Sequence, residues 1–309
     1  MSHLKDFLMH DHSEFSVYNV DQIVQMEKFL EGLNFCNQSL LAIHQKLPRE
    51  VRYVADMRRW IMTHGALKLN FLHRINPEKH VLTATTLFRE VAHTGQTNPN
   101  TVTSFLKEIE NKGHILAIES SDRRNRAYHM SEFAERMFYR YLTINIASLD
   151  IIDNQNRSKL FTEDPRILTH LHPIFAQKML SDTSYYLPPP SIAPLICTTI
   201  GISVLNEMTR NIDQSQIDDE HIEINLDSAS IMAQRYGTSR GNISKLLKEL
   251  ADENHYGKSG KKTWISRQLL TDYFRWQACK LAHISSAYIS AIRDREDEKK
   301  TLPSFAHYA

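Results

Sequence analysis

The sequence predicts a mainly helical protein that contains the same small unit twice, each with a short β-hairpin. Apolar residues recur at steps of three and four along most of the 309-residue chain, which is the spacing of a buried helix face. Strand-like runs are few and brief, and each lies beside a helical stretch. Short motifs recur in the same order in the two halves, which indicates an internal duplication.

Composition excludes several classes of protein. The net charge is +1, which excludes a strongly basic polyanion coat but allows a local basic patch. Three widely separated cysteines, Cys36, Cys197 and Cys279, form neither a disulfide framework nor a zinc knuckle, so a cytoplasmic location is expected. Cys197 and Cys279 lie in apolar runs and are expected to be buried. The most apolar stretch, Ile192–Leu205, is shorter than the ~20 residues that span a bilayer, so it predicts a buried helix and no membrane partner.

The helices and strands follow in order along the chain. Apolar spacing predicts a helix from Phe29 to Leu47, which Pro48 ends, and then a long amphipathic stretch from Val51 to Ile75. Five short strand-like runs are His80–Thr83, Ile115–Glu119, Ala127–Met130, His221–Leu226 and Thr263–Ser266.

Domain boundaries follow from changes in composition. Residues 150–190 contain clustered Asn and Asp residues and end on three consecutive prolines, which favour stiff polyproline II. We therefore expect a semi-rigid connector with one or two short helices there. The predicted organisation is N-terminal helices and a first small domain in 1–149, the connector in 150–190, a second small domain in 191–293 and a charged tail in 294–309.

The two small domains are predicted to be copies of each other. Phe105–Ile109 matches Leu246–Leu250 at an offset of 141 residues, and Ala92, Val102 and His114 have counterparts at the same offset. Further on, Phe138–Tyr141 matches Tyr273–Trp276 at an offset of 135. The second copy therefore lacks six residues between these matches. A gap confined to one short region indicates a hairpin tip of variable length.

The second copy has the spacing of a helix-turn-helix. Ala233 is small enough for two helices to cross closely, and Gly237 can adopt the positive φ of a tight turn. Ser239 is a good N-cap for the next helix, in which Ile243 points into the core. The outward face of that helix then carries Arg240, Asn242, Lys245 and Lys248.

The first copy repeats this pattern with its turn glycine, Gly95, one position earlier. Asn98 can cap the second helix, and Pro99 suits its first position. The predicted buried face is Val102, Phe105, Leu106 and Ile109. The predicted outward face is Asn100, Thr101, Thr103, Ser104 and Lys107.

A hairpin with a cationic tip follows each helix pair, and this order of elements is the winged-helix arrangement. The second helix of such a unit can enter the major groove, while the hairpin, or wing, reaches phosphates. Residues 228–267 contain eight basic and three acidic residues, against six and five in residues 83–131. Most of the attraction for phosphate should therefore come from the second copy. The tip cations are Arg123, Arg124, Arg126, Lys258, Lys261 and Lys262.

The run Asp122–Ser131 resembles the wing of the MarR (multiple antibiotic resistance regulator) family of transcription factors. The resemblance covers about 80–149, and a weaker one covers about 224–290. It implies that Arg124 is the wing-tip arginine, that Asp122 holds it, and that the long flanking helices are those with which the family dimerises. Family members carry one winged helix per chain. This chain carries two, so a pseudo-two-fold arrangement like a MarR dimer is expected within one molecule.

We therefore expect a sequence-specific regulator of transcription that binds double-stranded DNA through two recognition helices and basic wings. The chain would act as a monomeric pseudo-dimer or as a homodimer, and a small-molecule effector is a further expected partner. The alternatives are a plasmid replication initiator, a class that also pairs two winged helices, and a protein-interaction scaffold that does not bind DNA.

The expected DNA-binding residues comprise the two helix faces and the two wings. No glycine-rich phosphate loop or nucleophile elbow is present in the sequence, so neither an enzyme nor a cofactor is predicted. Neither of the histidine pairs at 10/12 and 170/172 has a nearby set of Cys or carboxylate residues at ligand spacing, so no metal site is predicted. The expected DNA-binding residues are Asn98, Asn100, Thr101, Thr103, Ser104, Lys107, Arg123, Arg124, Arg126, Ser239, Arg240, Asn242, Lys245, Lys248, Lys258, Lys261 and Lys262.

Overall fold

The computed structural model describes residues 15–118, 126–210, 212, 214–217, 219–260 and 262–301. The helices of the first half are α1 (Val20–Gln25), α2 (Phe29–Lys46), α3 (Pro48–Val54), α4 (Met57–Ile75), α5 (Ala84–Val91), α6 (Pro99–Asn111) and α7 (Glu132–Asp153). Those of the second half are α8 (Arg157–Glu163), α9 (Ile167–Ser181), α10 (Thr183–Tyr186), α11 (Ala193–Ile196), α12 (Gly201–Thr209), α13 (Ala229–Arg235), α14 (Arg240–Asp252) and α15 (Arg267–Thr301). The strands are β1 (Ile115–Ile118), β2 (Ala127–Met130), β3 (His221–Ile224), β4 (Tyr256–Ser259) and β5 (Lys262–Ser266).

The prediction of a mainly helical chain with small antiparallel sheets is confirmed. Four of the five strand-like runs are strands, and β4 was not predicted. The fifth run, His80–Thr83, contributes a single antiparallel bridge between Leu82 and Tyr128. The amphipathic stretch that starts at Val51 is interrupted between α3 and α4, where the Asp56 side chain caps α4 by accepting a hydrogen bond from the Arg59 backbone N–H.

The two halves repeat the same strand register. In the first half Ile115 pairs with Met130, and in the second half Tyr256 pairs with Ile265. Tyr256 follows Ile115 by 141 residues and Ile265 follows Met130 by 135 residues, and these are the two offsets between the repeated sequence motifs. The order of strands agrees as well, since β5 lies between β3 and β4, and β2 lies between Leu82 and β1.

Backbone contacts where each hairpin joins its helices also repeat. The amide of His114 donates to the Ile109 carbonyl at 2.8 Å, and the amide of His255 donates to the Leu250 carbonyl at the same distance. The hydroxyl of Ser266 accepts from the Leu269 amide, as the Ser131 hydroxyl does from the amide three residues after it, so one serine caps the helix after each hairpin. The similarity of the two halves therefore extends from residue spacing to individual hydrogen bonds.

Helices of each half pack against the opposite half. α2 precedes the first helix-turn-helix and packs against α7, but it also packs against α12 of the second half. α9 precedes the second helix-turn-helix and packs against α15, but it also packs against α4 of the first half. We call this arrangement the reciprocal packing of α2 and α9. It produces one continuous apolar core that both halves share.

A buried hydrogen-bond network joins α2, α12 and α15. The Tyr273 hydroxyl lies 2.9 Å from Asn37 Oδ1 and 3.0 Å from Asn206 Oδ1. Asn37 Nδ2 in turn donates to the Thr209 hydroxyl at 3.2 Å. Because a buried polar group without a partner is costly, this network favours one register of the three helices over others.

Residues 150–190 are more helical than predicted. They contain α8, α9 and α10 as well as the end of α7, and α9 alone is 15 residues long and largely buried. Hydrophobic burial rather than the three prolines therefore holds this segment in place. The predicted single buried helix at Ile192–Leu205 is wrong, because α11 and α12 are separate helices. The prediction of a buried Cys197 is also wrong, because it lies exposed between them, whereas Cys279 is buried as predicted.

Arg157 is fully buried and holds the junction of α7 and α8. Its guanidinium lies 3.2 Å from Asp150 Oδ1 and donates to Asp153 Oδ1 at 3.0 Å. Burial alone would lower the pKa of Arg157, but its hydrogen bond to Asp153 and the charges of Asp153 and Asp150 raise it. The Arg157 carbonyl also accepts a hydrogen bond from the Tyr288 hydroxyl of α15 at 2.8 Å. This ion cluster therefore connects the middle of the chain to its last helix.

Replacing Arg157 with Met should lower the free energy of unfolding by about 3–5 kcal/mol, because two buried carboxylates would lose their cation. Urea unfolding measures this change. The control is Arg136→Met, whose ion pair with Glu132 on α7 is exposed and should contribute less than ~1 kcal/mol. Equal effects of the two substitutions would show that the buried cluster does not stabilise the junction.

Two histidines meet inside the contact between α4 and α9. His64 Nδ1 and His172 Nε2 lie 3.2 Å apart, and their rings are nearly parallel. Both side chains are buried among the aromatic rings of Phe138 and Phe175, with Trp60 against His64. Burial lowers the pKa of His64 to about 3, and burial together with His64 lowers the pKa of His172 well below its usual value. Both rings are therefore neutral in the folded protein at neutral pH.

This pair should make stability fall as the pH drops below about 6.5, because the unfolded chain protonates there and the folded chain does not. The stabilisation that the two neutral histidines contribute is complete above pH 6.5. It decreases as the pH falls towards their lowered pKa values in the folded state. Each histidine should contribute up to about 1.4 kcal/mol per pH unit, so His172→Gln should give a shallower decline between pH 6.5 and 5. Unfolding midpoints across this range measure the slope, and exposed His221→Gln should leave it unchanged. An unchanged slope in His172→Gln would contradict the assignment.

Candidate nucleic-acid interface

Helix α14 presents a polar face to solvent, as predicted. The Ser239 hydroxyl caps it by accepting from the Asn242 amide at 3.2 Å, and its buried side chains are Ile243, Leu246 and Leu250. The remaining positions face outwards because buried residues recur at steps of three and four. All five predicted residues of this helix region are exposed, namely Ser239, Arg240, Asn242, Lys245 and Lys248.

Buried Glu207 of α12 holds the turn that precedes α14 in place through a hydrogen bond and an ion pair. Gly237 adopts φ +62°, which is the left-handed conformation predicted for this turn. The adjacent Tyr236 is fully buried and donates its hydroxyl hydrogen to Glu207. Arg235 and Arg210 pair with the same carboxylate. These contacts orient α14 without using any of its outward-facing cations.

Helix α6 is the counterpart of α14 in the first half. The Asn98 side chain caps it by accepting from the Thr101 amide at 2.9 Å, and its buried face is the predicted set of four apolar residues. Thr103 donates its hydroxyl to the Pro99 carbonyl at 2.9 Å, so that hydroxyl is already used within the helix. Thr101 is half-buried, and the other predicted residues are exposed, namely Asn98, Asn100, Thr103, Ser104 and Lys107.

A cleft runs along the outward face of α6. Its far wall consists of the start of α4 and residues 197–199, and Asn98, Asn100 and Ser104 line it from α6. Arg59 reaches across from α4 and pairs with Glu108 through two contacts of 3.1 Å. The neighbouring Arg58 is exposed and lines the cleft. Arg58 was not among the predicted DNA-binding residues. The two adjacent arginines near the start of an amphipathic helix were a sequence pattern from which it could have been predicted.

The wing cations within the described residues differ in whether they form ion pairs. Arg126 pairs with Glu110 of α6 and lies over the Tyr128 ring at 5.8 Å. Lys262 pairs with Glu223 of β3 at 2.7 Å, while Lys258 is exposed in β4. The predicted contacts of Arg123, Arg124 and Lys261 lie outside the described residues.

An apolar cavity of about 170 Å³ lies between the two halves. Lys280 of α15 is buried at its wall, and this burial lowers the pKa of the amine. Two of the three tryptophans, Trp60 and Trp276, line the same cavity. The aromatic side chains of the motifs at 138–141 and 273–276 are buried or half-buried. Further lining residues include Leu41, His44, Tyr141, Tyr185, Ser203, Asn206 and Gln277.

A second group of reactive side chains lies at the contact of α10 with α15. Asp182, Cys279 and His283 bring a carboxylate oxygen, a sulfur and a ring nitrogen to within 4.8 Å of one another. No metal site was predicted from the sequence, and these three residues were not among the predicted functional residues. The Cys-x-x-x-His spacing of Cys279 and His283 was the available signal, but Asp182 lies about 100 residues away along the chain.

Comparison with known proteins adds no family assignment. No protein-family model matches the chain, and no curated protein or solved structure is similar to it at a significant level. Among the described residues, no helix is both long enough and apolar enough to cross a membrane.

Proposed function

We propose that the protein binds duplex DNA through two tandem winged-helix units and regulates transcription. One observation carries this proposal: the order helix, helix, turn, helix and hairpin occurs twice, and the two hairpins pair in corresponding registers. In both units the second helix of the helix-turn-helix points its polar side outwards. Such a helix fits the major groove of B-DNA, which presents a distinct hydrogen-bonding pattern for each base pair.

The two units would contribute different kinds of contact. In the second unit, Arg240 suits guanine and Asn242 suits adenine, while Lys245 and Lys248 suit phosphate. The exposed pair of Lys245 with Glu249 spans 3.8 Å and is too weak to compete with a phosphate. The face of α6 is mostly neutral, so the first unit would add base contacts more than electrostatic attraction.

The reciprocal packing of α2 and α9 supports a single chain that acts as a pseudo-dimer. Because the core is continuous, the second unit would meet DNA at the high effective concentration of a linked site. Units that read successive major grooves would be centred ~34 Å apart. Their reading faces differ in sequence, so the preferred DNA site would be an imperfect palindrome.

A MarR-like regulator with two units and a plasmid replication initiator would both bind DNA through paired winged helices. The number of DNA sites that the protein selects distinguishes these two functions. A regulator would select one operator, whereas an initiator would select several repeats within one fragment. Selection of bound sequences from a random duplex library, followed by footprinting on the natural fragment, distinguishes the two. Failure to select any sequence would favour the protein-interaction scaffold.

Arg240→Ala should weaken binding to the selected duplex by about tenfold to a hundredfold, because a bidentate base contact contributes ~1–3 kcal/mol. Lys248→Ala should weaken binding to all sequences and reduce the log–log salt slope by about 0.9. Fluorescence anisotropy measures both changes. The control is Lys159→Ala on α8, an exposed lysine away from both reading faces. Affinity in Arg240→Ala equal to that of Lys159→Ala would exclude α14 as a reading helix.

The cavity between the halves supports a second role as a sensor of a small aromatic anion. Its volume is close to that of a cavity that binds one benzene ring. Lys280 supplies a buried amine that a carboxylate could pair with. A ligand in the cavity would contact α2, α4, α12 and α15. It would therefore alter the helix packing that sets the spacing of the two units.

Benzoate should quench the fluorescence of Trp60 and Trp276 saturably, since both rings line the cavity. Lys280→Met should weaken this response by at least tenfold, because the carboxylate loses the buried amine that the described residues place at the cavity wall. Lys159→Ala again serves as the control. A linear response that Lys280→Met does not alter would exclude the cavity as an anion site.

A further inference from the structure

Asp182, Cys279 and His283 form a compact cluster of three different donor groups. The Cys279 sulfur lies 3.5 Å from His283 Nε2 and 3.1 Å from Asp182 Oδ2. His283 Nε2 lies 2.8 Å from the same carboxylate oxygen. Two donors of α15 and one donor from about 100 residues earlier in the chain therefore lie together.

The fold orients each donor. Cys279 and His283 lie four residues apart on α15, so they share one face of the helix. Asp182 caps α10, and its Oδ1 accepts from the Ser184 amide at 2.9 Å and from the Ser184 hydroxyl at 2.6 Å. Those two bonds hold the carboxylate so that Oδ2 points at the sulfur and the ring. Orientation of a ligand by neighbouring hydrogen bonds is typical of metal sites.

We propose that Asp182, Cys279 and His283 bind a Zn²⁺ ion. Thiolate, imidazole and carboxylate are the three side-chain ligands that zinc uses. Zinc bonds of ~2.3 Å to sulfur and ~2.0–2.1 Å to nitrogen, set at a tetrahedral angle, place those two atoms about 3.5 Å apart. The observed separation of Cys279 Sγ and His283 Nε2 is 3.5 Å. The carboxylate contacts are shorter because they are hydrogen bonds, which the metal bonds would replace.

Zn²⁺ binding releases one proton, which comes from the Cys279 thiol. The Cys279 thiol donates its hydrogen to Asp182 Oδ2 at 3.1 Å, so the sulfur carries a proton without metal. When Zn²⁺ binds, the sulfur becomes a thiolate and its proton passes to solvent, while His283 coordinates as the neutral ring. Binding should therefore strengthen as the pH rises.

The cluster is accessible from solvent on one side. About a fifth of the His283 side chain and a quarter of the Asp182 side chain are exposed, whereas Cys279 is buried. Water can therefore fill a fourth coordination position. The ion would fasten α10 to α15 one helical turn from Trp276, whose ring stacks on Tyr185 of α10 at 5.0 Å. Metal binding should therefore raise the thermal unfolding midpoint of the full chain.

Co²⁺ titration of the full-length, chelator-treated protein tests this site without reference to DNA binding. We expect one equivalent to bind and to give both a near-ultraviolet thiolate-to-cobalt absorption band and visible bands of tetrahedral cobalt. Added Zn²⁺ should abolish these bands by displacing the cobalt. Absence of saturable binding at one equivalent would overturn the proposal.

Three substitutions locate the ligands. Cys279→Ser should remove the thiolate band and weaken binding at least tenfold, and Asp182→Asn should weaken binding at least tenfold while retaining the oxygen that caps α10. Cys197→Ser removes an exposed cysteine outside the cluster and should leave the titration unchanged. Circular dichroism confirms that each variant is folded. A thiolate band that persists in Cys279→Ser, or one that is lost equally in Cys197→Ser, would overturn the assignment.

Discussion

The reciprocal packing of α2 and α9 is the contact through which the two halves of this protein become one folded unit. Each of these helices precedes one helix-turn-helix yet also packs against a helix of the opposite half, α2 against α12 and α9 against α4. Neither half can bury its apolar surface alone, because the helix that covers α4 belongs to the second half and the helix that covers α12 belongs to the first. Hydrophobic burial across this shared layer therefore sets the relative position of the two polar faces.

The polar groups inside that layer make the packing specific. The network around Tyr273 and the contact between His64 Nδ1 and His172 Nε2 each join hydrogen-bonding groups of different helices, and a shift in helix register would separate them. Apolar packing alone tolerates small shifts between helices, whereas a buried polar group that loses its partner has a large cost. Arg157 plays the same part between α7 and α8, where it neutralises two carboxylates.

The surface differs between the halves although their backbones correspond. α14 carries several exposed cations, whereas α6 carries amide and hydroxyl groups beside a cleft that α4 and residues 197–199 close on one side. The buried positions of both halves are apolar because both must pack. The outward positions carry no such constraint, so the two faces can differ in charge and in hydrogen-bonding groups. Under the proposed function, this asymmetry is the physical reason to expect an imperfect palindrome.

The sequence by itself determined the local elements. The three- and four-residue spacing, the caps at Asn98 and Ser239 and the glycine at 237 act over a few residues, and the structure has them where they were predicted. The matching offsets also located the hairpins, because a repeated motif constrains both copies. Contacts between residues far apart in the chain were decided only by the tertiary structure. The packing of α9 on α4, the exposure of Cys197 and the meeting of Asp182 with Cys279 and His283 depend on how whole helices bury their surfaces against one another, and spacing along a single chain does not encode that.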